Sequence, residues 1–243
     1  MKQIYDDIAQ KYAEALKSIK RKYTLEETFL DCVGKIEGKN ILDVACGEGY
    51  YARLLKTRGA NKVVGVDISA SMLAIARDQE KIKPLGVEYE CFNAASLPVL
   101  GKFDVVTAAF LLHYSKTKEE LSEICKNVCL NLKPGGKFVT LNLNPAQPLQ
   151  LDKRYDSTII ATGPLREGAV LKVTLYLDSR KICSFDNYHW AKRTYEAALS
   201  RAGFDGVNWR DIKVSKEGIE KFGSDFWQDY LRQPGVIVIE CNK

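Results

Sequence analysis

A glycine-rich turn and an acidic residue twenty positions later are the strongest chemical signal in this 243-residue chain. The turn Cys46-Gly47-Glu48-Gly49 follows the apolar run 40–45, and Asp67 ends the apolar run 62–67. A turn of small residues lets a ligand approach the backbone, and the helix that follows offers free N–H groups. A carboxylate at the end of the next strand accepts hydrogen bonds from both hydroxyls of a ribose. The spacing therefore predicts a site for a nucleoside-containing cofactor.

Two histidines, His113 and His189, are the only ones in the chain. Each is a candidate to take a proton from a ring N–H of a substrate. A histidine buried in the core and bonded to backbone is the alternative interpretation for each. Aromatic residues for the walls of a flat pocket are available at Tyr114, Tyr188, Trp190, Phe226 and Trp227, although the two tryptophans suit the core as well.

Strands and helices alternate along the part of the chain that carries these residues. Short apolar or alternating runs predict strands, and apolar residues at helical spacing predict helices. The predicted strands are 40–45, 62–67, 87–92, 103–109, 137–143, a hairpin of 169–177 with 180–188, and 235–241. The predicted helices are 1–30, 50–58, 70–82, 117–132 and 192–203. This order is typical of an α/β fold with a mostly parallel sheet covered by helices on both faces.

The glycine turn has a second interpretation. Gly47, Gly49 and Ala52 fit the G-x-G-x-x-A pattern of dinucleotide-binding proteins, so an NAD-dependent oxidoreductase is a competing hypothesis. A Tyr-x-x-x-Lys pair, as reductases use, occurs twice, at Tyr114–Lys118 and Tyr188–Lys192, without a convincing serine upstream.

Five segments in order over residues 35–145 resemble the class I S-adenosylmethionine (SAM)-dependent methyltransferases. They are ILDVACGEG (41–49), VGVDIS with SML and AR (64–77), NAASLP (93–98), FDVV through LHY (103–114) and LKPGGKF (132–138). The resemblance implies a Rossmann-like, doubly wound, mostly parallel seven-stranded sheet, with SAM as cofactor and S-adenosylhomocysteine (SAH) as product. In this chain Ala45 replaces a common Gly and Asn93 a common Asp. The residues implied to bind the cofactor are Asp43, Ala45, Cys46, Gly47, Asp67, Ile68, Met72, Asn93, Ala94 and Ala109.

The N-terminal segment YDDIAQKY (5–12) looks like the opening helix of small-molecule methyltransferases, which folds over SAM. That resemblance implies a role for Tyr5 and Tyr12 beside the methionine part of the cofactor. An ordinary amphipathic helix is the alternative. The expected organisation is one domain, with a helical lid at 1–34, a SAM-binding core at 35–145, a substrate-side insertion at 146–190 and the rest of the sheet at 191–243.

A closer resemblance runs along nearly the whole chain, to the toxoflavin-biosynthesis methyltransferase family. It rests on ACGEGYY (45–51), LLHY (111–114), NLNP (142–145), GPLREG (163–168), DNYH (186–189) and FGSDFW (222–227). It implies N-methylation of a flat azapteridine-like heterocycle. The expected substrate contacts are Phe110, Tyr114, Asn144, Arg166, Asn187, Tyr188 and His189, with His113 and His189 as candidate bases. A small-molecule O- or S-methyltransferase and a noncatalytic SAM-binding protein are the alternatives.

The charge and composition of the chain argue against several kinds of partner: nucleic acid, a membrane and a metal ion. The net charge of +5 lacks the concentrated basic stripe of a nucleic-acid binder, and the run Lys17, Lys20, Arg21 and Lys22 reads as a solvated helix face. No Asn/Asp-Pro-Pro-aromatic turn follows the fourth strand, so no nucleic-acid substrate is expected. The polar N-terminus and the lack of long apolar runs predict no signal peptide and no membrane span. Seven scattered cysteines favour a cytoplasmic chain and offer no zinc set, so no metal is expected.

Overall fold

The computed structural model describes residues 4–16 and 18–243, with the side chains of residues 4–7 and 19 outside that description. Its helices are Ile4–Ala15 (α1), Ile19–Arg21 (α2), Glu27–Val33 (α3), Tyr50–Thr57 (α4), Ala70–Ile82 (α5), Lys118–Asn131 (α6), Lys192–Ala202 (α7), Lys216–Phe222 (α8) and Ser224–Arg232 (α9). Its strands are Asn40–Val44 (β1), Lys62–Asp67 (β2), Val87–Cys91 (β3), Phe103–Ala109 (β4), Leu132–Leu143 (β5), Ser157–Ala161 (β6), Val170–Leu177 (β7), Arg180–Tyr188 (β8), Asp205–Asp211 (β9) and Val236–Asn242 (β10).

Seven strands form the main sheet, in the order β3-β2-β1-β4-β5-β10-β9. Strands β1 to β5 run parallel to one another, whereas β10 is antiparallel to both β5 and β9. The expected Rossmann-like, mostly parallel seven-stranded sheet is therefore confirmed. The carboxyl ends of β1, β2, β3 and β4 meet at one edge, which is where open α/β sheets bind their ligands.

Strand β9, at one edge of the seven-stranded main sheet, is one that the sequence pattern did not indicate. Its sequence DGVNWRD is mostly polar, and it lies at the edge of the sheet with most of its residues exposed or half-buried. An edge strand with little apolar surface to bury carries a weak alternation signal. Helices α8 and α9 were likewise missed.

The hairpin predicted at 169–177 and 180–188 is confirmed as β7 and β8, which belong to a separate three-stranded sheet with β6. Asp178 and Ser179 at its tip both have positive φ, as the two central residues of a type I′ turn require. Strand β6 lies inside the stretch 144–168 that its prolines and glycines mark as irregular. We call this second sheet the accessory sheet.

The helix predicted over 1–30 is broken in the structure. Helix α1 ends at Ala15, and a π-helical turn at Lys22–Glu26 joins the short α2 to α3. Single π-helical turns inside helices are often found at functional sites. Helix α1 packs on β7 and β8 of the accessory sheet and on α5, so it crosses from the accessory sheet to the main sheet.

Two apolar cores cover the two faces of the main sheet, and a third joins the accessory sheet to the N-terminal segment. Trp190 belongs to one main-sheet core and Trp227 to the other, so both tryptophans are core residues. The third core packs Ala15 and Leu143 against β6, β7 and β8. Among the described residues, no helix is both long and apolar enough to cross a bilayer.

Candidate functional site

A cavity of about 300 Å³ lies at the carboxyl ends of β1 and β4, under the N-terminal segment. The glycine turn and the end of β1 form its floor, with Asp43, Ala45, Cys46, Gly47 and Glu48. Tyr50 and Tyr51 line it from α4, and Ala109 and Phe110 from the end of β4. The other lining residues come from the N-terminal segment: Tyr12, Leu16, Ser18, Arg21, Lys22 and Glu26.

Hydrogen bonds to Asp67 hold the glycine turn in shape. One carboxylate oxygen of Asp67 accepts from the backbone N–H of Gly47 at 2.8 Å, and the other accepts from that of Ser69 at 2.8 Å. Ala45 has a φ of 58°, a conformation that costs any non-glycine residue free energy. A strained backbone that its surroundings hold in place is common at ligand sites. Asp67 thus fixes the shape of the glycine turn that forms the cavity floor.

Asp43 carries an unpaired oxygen in the wall of this cavity. Its side chain is only 1% exposed, and Oδ1 accepts from the Thr107 hydroxyl at 2.7 Å. Its Oδ2 has no hydrogen-bond partner among the described residues. Burial raises the pKa of Asp43 to about 7, and it does the same for neighbouring Glu48. A cationic ligand group in the cavity would pair with Oδ2 and favour the ionised forms of both carboxyl groups.

Arg21 is a cation close enough to Glu48 to affect its carboxyl group. It lines the cavity, and its guanidinium carbon lies 5.4 Å from the centre of the Phe110 ring. Its positive charge lowers the pKa of Glu48 against the larger effect of burial. No ion pair of Arg21 occurs within the described part of the chain, so the guanidinium is available to an anionic ligand group.

Four further cofactor contacts expected from the sequence lie at the same sheet edge but outside this cavity: Ile68, Met72, Asn93 and Ala94. Met72 is buried beneath the turn, with its Cε 3.2 Å from where a Cβ on Gly47 would lie. Ile68 and Ala94 are half-buried, and Asn93 is exposed, its side chain accepting from the N–H of Ala95. Tyr12 lines the cavity, whereas the side chain of Tyr5 lies outside the described residues.

A second compartment of about 50 Å³ adjoins the cavity, and Tyr12, Arg21 and Phe110 line both. Its walls include the rings of Phe110, His113, Tyr114 and Phe185, which contact one another at centroid distances of 5.0 to 6.2 Å. Phe110 has a φ of 67°, held by its N–H bond to the Leu141 carbonyl. We call this space the acceptor compartment.

The hydrogen bonds around His113 fix its tautomer. The Asn142 side chain donates through Nδ2 to the Leu143 carbonyl at 2.9 Å, so its Oδ1 faces His113 Nδ1 at 2.8 Å. An amide oxygen only accepts, and Nδ1 therefore carries the hydrogen. The N–H of Leu143 also lies 3.3 Å from Nδ1, but it could donate only if Nδ1 carried a lone pair instead of the hydrogen. The bond to Asn142 is shorter, so we assign the hydrogen to Nδ1. Burial lowers the pKa of His113 to about 4, so the ring is neutral and Nε2 holds a lone pair.

Several expected substrate contacts are not brought to the acceptor compartment. Arg166 is exposed on the loop after β6. His189 is half-buried, and its backbone pairs with Gly168 and Ala169. Tyr188 follows Asn187 on β8, so the alternation of a strand turns it to the opposite face, where it packs on a main-sheet core. Asn144 is buried, with its amide bonded to Pro234 and Ala146.

Several residues of the site were not expected from the sequence, among them Arg21, Glu48 and Phe185. Arg21 was grouped with its basic neighbours as a solvated face, because only the helix break and the π-helical turn direct it inward. The signal for Glu48 was its place between the two glycines of the turn. No pattern distinguished Phe185 from the other apolar residues of β8. No group of three metal-binding side chains occurs within the described residues.

Comparison with known proteins identifies relatives for most of the chain. A family model described as a methyltransferase domain matches residues 41–136. The chain is 32% identical over 192 residues to the ubiquinone/menaquinone biosynthesis C-methyltransferase UbiE of Cronobacter sakazakii, covering 75% of this chain and 73% of that protein. It is 29% identical over 177 residues to the N-demethylindolmycin N-methyltransferase of Streptomyces griseus, covering 69% of this chain and 70% of that protein.

Solved structures share the fold. An S-adenosylmethionine-dependent methyltransferase from Mesorhizobium loti superposes with a TM-score of 0.63 at 22% identity, over 86% of this chain and 93% of that chain. The strand order with an antiparallel β10 between β5 and β9 also departs from the 3-2-1-4-5-6 order of dinucleotide-binding domains. The topology thus disfavours the oxidoreductase hypothesis.

Proposed function

Because this chain belongs to the class I SAM-dependent methyltransferases, we propose that it methylates a ring nitrogen of a small planar heterocycle similar to an azapteridine. The observation that carries the proposal is the acceptor compartment, which adjoins the cavity beside Phe110 and presents the His113 lone pair among aromatic rings. The streptomycete relative, whose name is that of an N-methyltransferase, and the segments similar to the toxoflavin-biosynthesis family support the choice of nitrogen.

The described residues fit the amino-acid end of SAM. That end carries an ammonium and a carboxylate on neighbouring atoms. The unpaired Oδ2 of Asp43 is a buried acceptor for an ammonium, and Arg21 is a cation without an ion pair in the described chain. We propose that Asp67, at the end of β2, holds the ribose hydroxyls, the role that the sequence predicts for it. When bound, SAM supplies a methyl group already activated by its positively charged sulfur.

Positioning is then the main task of the protein. Methyl transfer is an in-line displacement, so holding the two reactants at the right distance and angle supplies most of the rate enhancement. The aromatic rings that line the compartment, Phe110 and Tyr114 among them, offer faces on which an aromatic acceptor stacks. The described N-terminal residues that line the cavity limit the entry of water.

His113 orients the acceptor nitrogen through Nε2. With a pKa of about 4, the imidazole accepts a hydrogen bond but holds a full proton poorly at neutral pH. A proton lost from the methylated nitrogen therefore passes on to water. In this proposal residues 35–145 bind the cofactor, and the accessory sheet within 146–190 selects the acceptor, all within one domain.

Calorimetric titration and product analysis test the proposal. We expect one SAH site per chain, no NAD binding, and a 14-Da mass gain on a nitrogen heterocycle incubated with SAM and enzyme. A panel of phenols, thiols and nitrogen heterocycles separates the alternatives. Methylation of oxygen or sulfur only would overturn the nitrogen assignment, and SAH binding without turnover on any member would favour a noncatalytic role.

A further inference from the structure

Two buried asparagines near the acceptor compartment differ in their hydrogen bonds. Asn144, just after β5, donates through Nδ2 to the Pro234 carbonyl at 2.9 Å and accepts through Oδ1 from the N–H of Ala146 at 3.0 Å. Asn187, on β8, is 1% exposed, and its Oδ1 is buried without a partner. Within the described residues its Nδ2 makes no hydrogen bond either. Only Asn187 lines the compartment.

The alternation of β8 directs Asn187 into the compartment. Cys183, Phe185 and Asn187 are buried at every second position, so they share the inner face of the accessory sheet. Phe185 on that face stacks on Tyr114 and meets Tyr12 edge-on. Asn187 therefore lies on the wall that faces the acceptor rather than on the outer face of the sheet.

A buried amide oxygen without a partner is rare in folded proteins and calls for an explanation, and a ligand that completes its hydrogen bonds is one. Two other polar side chains of the compartment are already bonded within the protein. Gln150 donates to Ser157, and the Tyr155 hydroxyl donates to the Phe226 carbonyl. The Asn187 amide stands apart as a free donor beside a free acceptor.

We infer that Asn187 pairs with a donor–acceptor edge of the methyl acceptor, a ring N–H next to a carbonyl, as in a lactam. A primary amide presents one donor and one acceptor side by side, which matches such an edge with two parallel hydrogen bonds. The match does not depend on which way the amide is turned, because the edge supplies both partners. This inference rests on the proposed function and makes the substrate class more specific: heterocycles with a lactam edge, selected by Asn187.

Binding of two ring systems to the SAH-loaded protein tests the inference. Lumazine carries the lactam edge, and unsubstituted pteridine has the same rings without it. We expect lumazine to bind the wild-type complex at least about tenfold more tightly, because a site built to hydrogen-bond a group rejects the analogue that lacks it. Asn187→Leu, similar in size but apolar, is expected to bind the two equally while its SAH affinity stays at the wild-type value.

Asn144→Leu is the matched control. It removes an amide whose partners are all in the protein, so we expect a lower melting temperature and an intact preference for lumazine. Asn187→Leu should not lower the melting temperature, since it removes no bond within the protein. Equal binding of both rings by the wild type, binding of neither, or a preference that survives Asn187→Leu would overturn the inference while leaving the cofactor site standing. Failure of the wild type to bind SAH would overturn the proposed function as well.

Discussion

At the scale of single residues, the site depends on a few buried polar groups whose partners are missing within the described protein. Asp43 Oδ2 and the Asn187 amide are both buried and unpaired, one in the cavity and the other in the acceptor compartment. Such groups cost stability, and in the proposed function a ligand completes each of them. In this proposal the Asp43 carboxyl group accepts from a cation in the cavity, and the Asn187 amide pairs with a lactam edge in the acceptor compartment.

Asp43→Asn tests the first of these groups. Loss of a charge-assisted hydrogen bond costs about 1.5–3 kcal/mol, which raises the dissociation constant for SAH about 10- to 100-fold. Calorimetric titration measures the change. Asp104→Asn is the matched control, because Asp104 lies near the start of the neighbouring strand β4 and bonds Lys133 and the N–H of Asn40, outside the cavity. Equal SAH affinity in Asp43→Asn and the wild type would remove Asp43 from the site.

The pH dependence of SAH binding follows from the same carboxyl groups. Burial raises the pKa values of Asp43 and Glu48 to about 7, so both groups are partly protonated in the free protein at neutral pH. The ammonium of the cofactor favours the ionised carboxylates, and binding therefore releases protons. We expect affinity to weaken as pH falls below 7 and to level off above 8. Titrations from pH 5.5 to 8.5 measure the slope, which should be smaller in Asp43→Asn; a flat profile in the wild type would contradict this.

At the scale of elements, the N-terminal segment closes the cavity and is tied to the accessory sheet. Asp156 follows a short helical turn before β6, is buried, and accepts hydrogen bonds from the Ser18 hydroxyl and from Lys20 Nζ. The described side chains of this segment supply six of the fifteen residues that line the cavity. A change at Asp156 should therefore affect the cofactor, although Asp156 itself does not line the cavity.

Asp156→Asn is expected to lower the free energy of unfolding by about 1–3 kcal/mol and to speed SAH release. Asn tolerates the positive φ of this position, 62°, so the effect reports the lost charge rather than backbone strain. Glu14→Gln removes the exposed pair with Arg180 and should change stability by less than about 1 kcal/mol. Chemical unfolding and stopped-flow displacement measure the two quantities. An unchanged release rate in Asp156→Asn would show that the contact does not hold the cavity closed.

The elements also show how far the sequence could predict this molecule. Strands β1 to β4 and the glycine turn carry strong buried patterns, and each was predicted within a residue or two. The edge strand β9 buries little apolar surface and gives no such pattern. On β8 the sequence marked both Asn187 and Tyr188, but neighbours in a strand face opposite sides, and only the packed accessory sheet shows which one faces the compartment. The inward direction of Arg21 depends on a helix break that no local pattern predicts.

At the scale of the whole molecule, the proposed cofactor site lies on the main sheet and the proposed acceptor site on the accessory sheet, with α1 packed across both sheets. Binding of SAH should therefore stabilise the folded chain as a unit. At a concentration one hundred times the dissociation constant, the gain is about 2.7 kcal/mol. For a chain of this size that corresponds to a rise in melting temperature of roughly 5–10 °C. Differential scanning calorimetry measures the shift, with NAD as the control; equal shifts for SAH and NAD would contradict the assignment of the cavity.

A crystal structure of the chain with SAH tests the central claim most directly. We expect the amino-acid end of SAH between Asp43 and Arg21, the ribose at Asp67, and the sulfur beside Phe110, directed at the compartment that holds His113 and Asn187. SAH bound at another edge of the sheet, or with its sulfur directed away from that compartment, would contradict the proposed arrangement of cofactor and acceptor.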